Sequence, residues 1–256
     1  MIAAHHDPGT GMSEQTPIGP GFEVTTFTHQ GRSHEVFRGG SGPAVVVVHE
    51  IPGLHPGVAD FGRRLVDAGY TVYLPSLFGQ PGAPVTGGAT ARSILRACVS
   101  REFSLLADRT SPAAHWLRAL AAKAHAECGG PGVGAVGMCF TGGFALAMAV
   151  EPAVLAPVLS QPGLPAPLNA RKRAALGLDA PDLAQITERT RHGLCVLGLR
   201  FSHDRGCPAE RFETLRRTLG DAFEGIEIDS SPGNPHGIPT RAHSVLTVDL
   251  VDEPGH

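Results

Sequence analysis

Lysine is nearly missing from this chain: Lys123 and Lys172 are the two there are, so almost all of the 21 Lys+Arg residues are arginines. Together with the abundance of Ala and Gly, this reads as base composition and carries no functional weight. Against 24 acidic residues the net charge is −3 and the pI about 6.5. The basic footprint of a nucleic-acid-binding protein is therefore lacking. Long apolar runs are lacking too. The longest spans Phe144 to Val150, whereas a membrane-spanning helix needs about 20 such residues. The first residues, MIAAHHDPGTGMSEQTPIGPG, have neither the basic nor the apolar region of a signal peptide. They read as a loose arm, with Met12 as an alternative start. None of the five cysteines (98, 128, 139, 195, 207) forms a CxxC pair. An odd number in a chain expected to be cytoplasmic argues for free thiols, one of them reactive.

What is present is enough for a packed core. Of 256 residues, 42% are hydrophobic and 18% charged, which excludes disorder over most of the length. This length suits one α/β domain. The 33 glycines and 22 prolines lie scattered without period, as tight connections require. Residues 1–21 are expected to form a flexible arm, 22–252 the domain, and 253–256 a frayed end.

Strands are expected at 22–28, 33–37, 44–49, 70–74, 133–138, 154–160, 194–200 and 223–228. Helices are expected at 57–69, 91–108, 112–127, 140–150, 181–191, 209–219 and 242–251. Residues 164–180 read as irregular, an insertion or cap. The run Ala44-Val45-Val46-Val47-Val48 is the mark of a strand buried on both faces. Strands alternating with helices imply a mostly parallel central sheet with helices on both faces. Ligands bind such sheets beyond the carboxyl ends of the strands, so residues just after strands carry the functional information.

Four such places stand out. In GAVGMCFTGG a strand runs into Cys139 and a helix begins at once, the form of a nucleophile elbow. The helix start favours a thiolate there, and the Phe140 amide is placed to donate to an oxyanion. Buried structural cysteines are far commoner than reactive ones, but the elbow context reverses that balance. The glycines at 132, 134 and 137 also spell GxGxxG, but they precede the turn instead of forming it, so a dinucleotide is not expected. In HEIPGL, Glu50 follows the 44–49 strand and the Ile51 amide is a second oxyanion donor. A metal is not expected, because HExxH would need His where Gly53 stands. Asp204, after the 194–200 strand, can orient an imidazole, although alone it would read as a turn or capping residue. His236, in the loop after the 223–228 strand, is preferred as general base over His243. Catalytic groups favour loops, and His243 falls in the first turn of the expected last helix. Cys139, Asp204 and His236 follow the nucleophile–acid–histidine order of α/β-hydrolases.

On HEIPGL (49–54), GMCFTGG (137–143), the Asp204 loop and HGI (236–238), residues 22–252 resemble the dienelactone hydrolase family of α/β-hydrolases. The resemblance implies a cysteine triad of Cys139, Asp204 and His236 with Glu50 facing the thiol, and Ile51 and Phe140 as oxyanion donors. It implies an ester or lactone substrate, no cofactor, and basic residues that hold a substrate carboxylate. Arg241, Arg96 and Arg101 are the candidates for that last role. The elbow departs from the family pattern at Thr141, where glycine is usual and a side chain is expected to crowd the turn. The leading expectation is a cytoplasmic carboxylesterase or lactone hydrolase, monomeric or homodimeric, with a small-molecule partner and no nucleic acid or membrane. A thioesterase or other acyl hydrolase on the same scaffold, and a non-catalytic small-molecule binder to which Thr141 would point, remain the alternatives.

Overall fold

A computed structural model describes residues 16–99, 109–163 and 169–252, with backbone alone for 94–99. Eight strands form one sheet: β1 (Glu23–His29), β2 (Arg32–Gly39), β3 (Ala44–Val48), β4 (Thr71–Pro75), β5 (Val133–Met138), β6 (Val154–Ser160), β7 (Val196–Phe201) and β8 (Phe223–Ile228). Their order is β1-β2-β4-β3-β5-β6-β7-β8. The pairs β1–β2 and β2–β4 are antiparallel, and every pair from β4–β3 to β7–β8 is parallel.

The helices are α1 (Pro56–Asp67), α2 (Gly87–Val99), α3 (Pro112–Cys128), α4 (Gly142–Met148), α5 (Ala170–Ala174), α6 (Ala180–Arg191) and α7 (Ala209–Leu219). Their starts follow local chemistry. Ser111 and Asp179 accept from Ala114 and Asp182 amides, each with a proline in the first turn, which caps donors that a helix start leaves unpaired.

The strand β3 shows why the sheet is sandwiched. All five of its residues are buried, and successive side chains point to opposite faces. Val45 and Val47 pack in one cluster with Val58 and Ala59 of α1. Ala44, Val46 and Val48 pack in the other, with Trp116 and Leu117 of α3 and Phe144 and Leu146 of α4. Burial of a full Val or Leu side chain is worth about 1.5–3 kcal/mol, so a strand of this composition is stable only between two layers.

Three expectations are corrected. The arm does not extend to residue 21: Ile18 is buried beside Phe22, and Arg63 of α1 donates to the Ile18 carbonyl at 2.5 Å. Residues 1–15 and 253–256 lie outside the described residues. The segment 164–180 is not irregular throughout, since α5 forms behind Asn169, whose side chain accepts from the Lys172 amide. No helix covers 242–251; the chain makes turns there. Asp249 Oδ2 accepts from the His243 and Ser244 amides at 2.8 and 3.0 Å, so a side chain takes the N–H groups that the turn leaves open. No helix among the described residues is long and apolar enough to cross a membrane.

Candidate active site

Strands β3, β5, β6, β7 and β8 run parallel, so the segments that follow them gather at one rim. Cys139 sits between β5 and α4 with φ +54, a left-handed conformation that a non-glycine side chain adopts at a cost. Local packing holds it there. The Cys139 carbonyl accepts from the Gly163 amide at 2.9 Å. A Cβ on Gly137 would stand 2.3 Å from the Thr141 carbonyl oxygen, and one on Gly142 would stand 2.7 Å from Pro162. Glycine is therefore what lets β5 and α4 close on each other. The Phe140 ring packs edge-on against Phe144 and tilts against Phe78. Cys139 is a free, partly buried thiol.

The histidine brought to it is His243, not His236. His243 Nδ1 lies 2.7 Å from Asp204 Oδ2, and the Cys139 side chain is near enough to act on the charge of its ring. With Nδ1 on the aspartate, Nε2 is the ring nitrogen left for another partner. Asp204 is buried, and its Oδ1 accepts from the Gly206 amide at 2.7 Å. A Cβ on Gly206 would come within 2.9 Å of the His243 ring, so glycine makes room for the imidazole. Burial pushes the His243 pKa down, but Asp204, by its hydrogen bond and charge, and Cys139 outweigh it and raise the pKa to about 11. His236 lies exposed in the turn after Asn234, its amide 3.2 Å from Asn234 Oδ1. Both histidines follow β8, and the reach of Asp204 decides between them.

Glu50 is buried and its carboxylate is held by four side chains. Ser244 Oγ donates to its Oε2 at 2.7 Å, Gln161 Nε2 to Oε2 at 3.3 Å, and Thr247 Oγ1 to Oε1. His55 Nε2 lies 3.1 Å from Oε1. His55 Nδ1 accepts from the Gly57 amide as it caps α1, so the proton is on Nε2 and the ring donates. None of the hydrogen bonds described for Glu50 goes to Cys139. Burial alone would raise its pKa, but the bonds from His55, Thr247 and Ser244 keep it below the usual carboxylate value. Gln161 Oε1 in turn accepts from the Val245 amide. The carboxylate thus anchors the turn that carries His243. Sequence reading missed His55, Gln161, Ser244 and Thr247, which take their meaning from contacts up to 197 positions away in the chain.

Thr141 does not crowd the elbow. Its side chain is fully buried and its hydroxyl meets backbone atoms at the ends of β3 and β5. Ile51 follows β3 beside the elbow, since Val48 pairs with Gly137. His49 braces that loop: its Nε2 accepts from the Leu77 amide at 3.1 Å, and Nδ1 meets the Glu50 carbonyl at 3.0 Å. Burial drives the His49 pKa down to about 4. The folded state therefore favours the neutral ring, a contribution complete above 6.5 and lost as pH falls toward about 4. Thermal melts across that interval should show the midpoint falling in acid. His49→Leu should melt lower near neutral pH, since the Leu77 amide loses its acceptor at about 1–3 kcal/mol, and show a flatter acid limb.

A cavity of about 510 Å³ opens beside this loop, lined by Pro52, Gly53, Gly79, Gln80, Arg92 and Ser93 among others. Among the described residues, Arg92, which the sequence reading passed over, is the arginine that lines it. Arg241 is exposed and has no described hydrogen bond or ion pair. Arg101 and the Arg96 side chain lie outside the described residues. No cluster of His, Cys, Asp or Glu among the described residues could hold a metal ion.

Comparison with known proteins bears on family and fold. The model of the dienelactone hydrolase family matches residues 34–248. Among solved structures, a protein of Klebsiella pneumoniae subsp. pneumoniae assigned as a dienelactone hydrolase is 22% identical with a TM-score of 0.54, over 81% of this chain and 86% of that one. A dienelactone hydrolase-like promiscuous phosphotriesterase from metagenomic libraries is 21% identical with a TM-score of 0.59, over 88% and 90%. The thioesterase domain from a curacin biosynthetic pathway is 12% identical with a TM-score of 0.50, over 81% and 92%. At these identities the likeness is one of fold. No curated protein matches the sequence.

Proposed function

The chain belongs to the dienelactone hydrolase family, a family of hydrolases, and from that premise we propose that it cleaves carboxylic esters or lactones with Cys139 as nucleophile. The observation that carries the reading is the 2.7 Å pairing of His243 with Asp204 on the rim where Cys139 sits in its strained turn. In this reading His243 holds the proton while the sulfur acts as thiolate, the reactive form. The thiolate attacks the substrate carbonyl carbon, and the oxyanion is received by the Ile51 and Phe140 amides. His243 gives its proton to the departing alkoxide as the carbon–oxygen bond breaks, leaving a thioester on Cys139. Acylation removes the sulfur's charge, one of the causes that held the proton on His243. The neutral ring then takes a proton from water as that water attacks the thioester. Release of the acid breaks the carbon–sulfur bond and restores the starting pair. The 510 Å³ cavity is lined by neither Cys139 nor His243 among the described residues, so it would take a substrate arm beyond the reacting carbonyl, where Gln80 and Arg92 are polar side chains to meet it.

The test is covalent. Cys195 is an exposed free thiol and will also be labelled, so peptide mapping follows each site: turnover of p-nitrophenyl acetate should fall in proportion to labelling of Cys139 by iodoacetamide and not to that of Cys195. Activity that survives full labelling of Cys139 would overturn the reading. Silence of the unlabelled protein toward short esters, lactones and thioesters would do the same. The alternative of a non-catalytic binder loses the feature that favoured it, because Thr141 leaves the elbow intact.

A further inference from the structure

Thr141 occupies a place that no part of this mechanism uses. Its hydroxyl oxygen is 3.0 Å from the Met138 amide, 2.9 Å from the Val48 carbonyl oxygen, 3.1 Å from that of His49 and 3.0 Å from that of Met138. One hydroxyl has one proton to give. It accepts from the Met138 N–H and shares its own proton among the three carbonyls. The site is closed to water, with Thr141 at 0% exposure, so these groups have no solvent to turn to.

The position matters because of what lies on either side. The register of β3 with β5 ends at Val48 opposite Gly137. Beyond that point Cys139–Thr141 follow on one segment and His49–Ile51 on the other. Ile51 lies two residues after His49 on one of them, and Phe140 immediately precedes Thr141 on the other. A single side chain therefore ties together the two segments that bear the amides assigned above to the oxyanion. Such donors act only when both reach within about 2.7–3.1 Å of the developing charge.

We propose that Thr141 is a positioning residue that sets the spacing between the Ile51 and Phe140 amides and hence the fit of the oxyanion. This rests on the Cys139 acyl-enzyme reading and deepens it. Thr141 touches no reacting atom; it acts through the ends of β3 and β5.

Thr141→Val keeps the shape and removes the hydroxyl. For p-nitrophenyl acetate, kcat should fall by about 10–100-fold, less than the 10²–10³ of losing an oxyanion donor outright, with KM unchanged. Thr141→Ser, which keeps the hydroxyl, should recover most of the loss. Alkylation by iodoacetamide is the control, because displacement at its methylene carbon builds no oxyanion. In Thr141→Val, Cys139 should alkylate at the wild-type rate. The proposal fails if turnover is unchanged, or if alkylation slows in step with turnover, which would mean damage to the nucleophile itself. Should Thr141→Val not fold, Thr141→Ala carries the same comparison with the same two failing results. Wild-type activity that persists after Cys139 is alkylated would instead sink the reading beneath the proposal, so the two failures are told apart.

Discussion

Replacing His243 by alanine should lower kcat/KM on an activated ester by about 10²–10⁴-fold, the usual worth of a positioned acid–base group, while His236→Ala stays at the wild-type level. The difference follows from geometry: His243 Nδ1 is 2.7 Å from Asp204, and His236 lies exposed on the loop that follows Asn234. Steady-state kinetics of the two variants decide the matter, and equal losses would remove His243 from the mechanism. Stability gives a second readout. The folded His243 holds its proton to about 11 against 6.5 unperturbed. Its contribution is therefore complete below 6.5 and lost as pH climbs through the raised value. Melting temperatures of the wild type should fall on that alkaline side, and those of His243→Ala should fall less.

The mistaken choice between these histidines shows how far local signals reach. Strands β5, β6 and β8 and helix α7 fall on the residues expected, because apolar patterning and the turn residues that bound it are properties of neighbours in sequence. The elbow at Cys139 was legible for the same reason, since its glycines lie within a few positions. Both His236 and His243 follow β8, and chain order cannot separate them. The Ala242–Val251 stretch has the apolar spacing of a helix, but Asp249 captures two amides at its start and Glu50 captures Ser244 and Thr247. Those partners belong to the tertiary structure. Thr141 was misjudged in the same way. Beside a strand–helix junction a side chain looks like an obstruction, whereas its hydroxyl, bonded to the Val48 and His49 carbonyls at the end of β3, makes it a bridge.

Glu50→Ala should be the most damaging substitution for the fold among the residues of this rim. Ser244 and Thr247 are partly exposed, and their hydroxyls can turn to water once the carboxylate is gone. His55 and Gln161 are buried, at 2% and 0% exposure, so His55 Nε2–H and Gln161 Nε2 would be left without an acceptor. At about 1–3 kcal/mol for each stranded donor, and about 2–4 °C of Tm per kcal/mol in a domain of this size, the midpoint should drop by roughly 5–20 °C. Glu50→Gln fills the space but has one oxygen where two accept, so its loss should be smaller. The same variant separates an anchor from a proton acceptor. If Glu50 took the Cys139 proton, Glu50→Gln would reshape the pH profile of Cys139 alkylation. Because the carboxylate is occupied by His55, Thr247, Ser244 and Gln161, the profile should keep its shape while Tm falls. In acid the carboxylate adds a further loss: its folded pKa lies below 4.5, so its contribution is present above that value and disappears as pH falls through the lowered one. Melts of Glu50→Gln below 4.5 should accordingly converge on those of the wild type, and a gap that stays constant would show that the charge of Glu50 contributes nothing to holding the His243 turn.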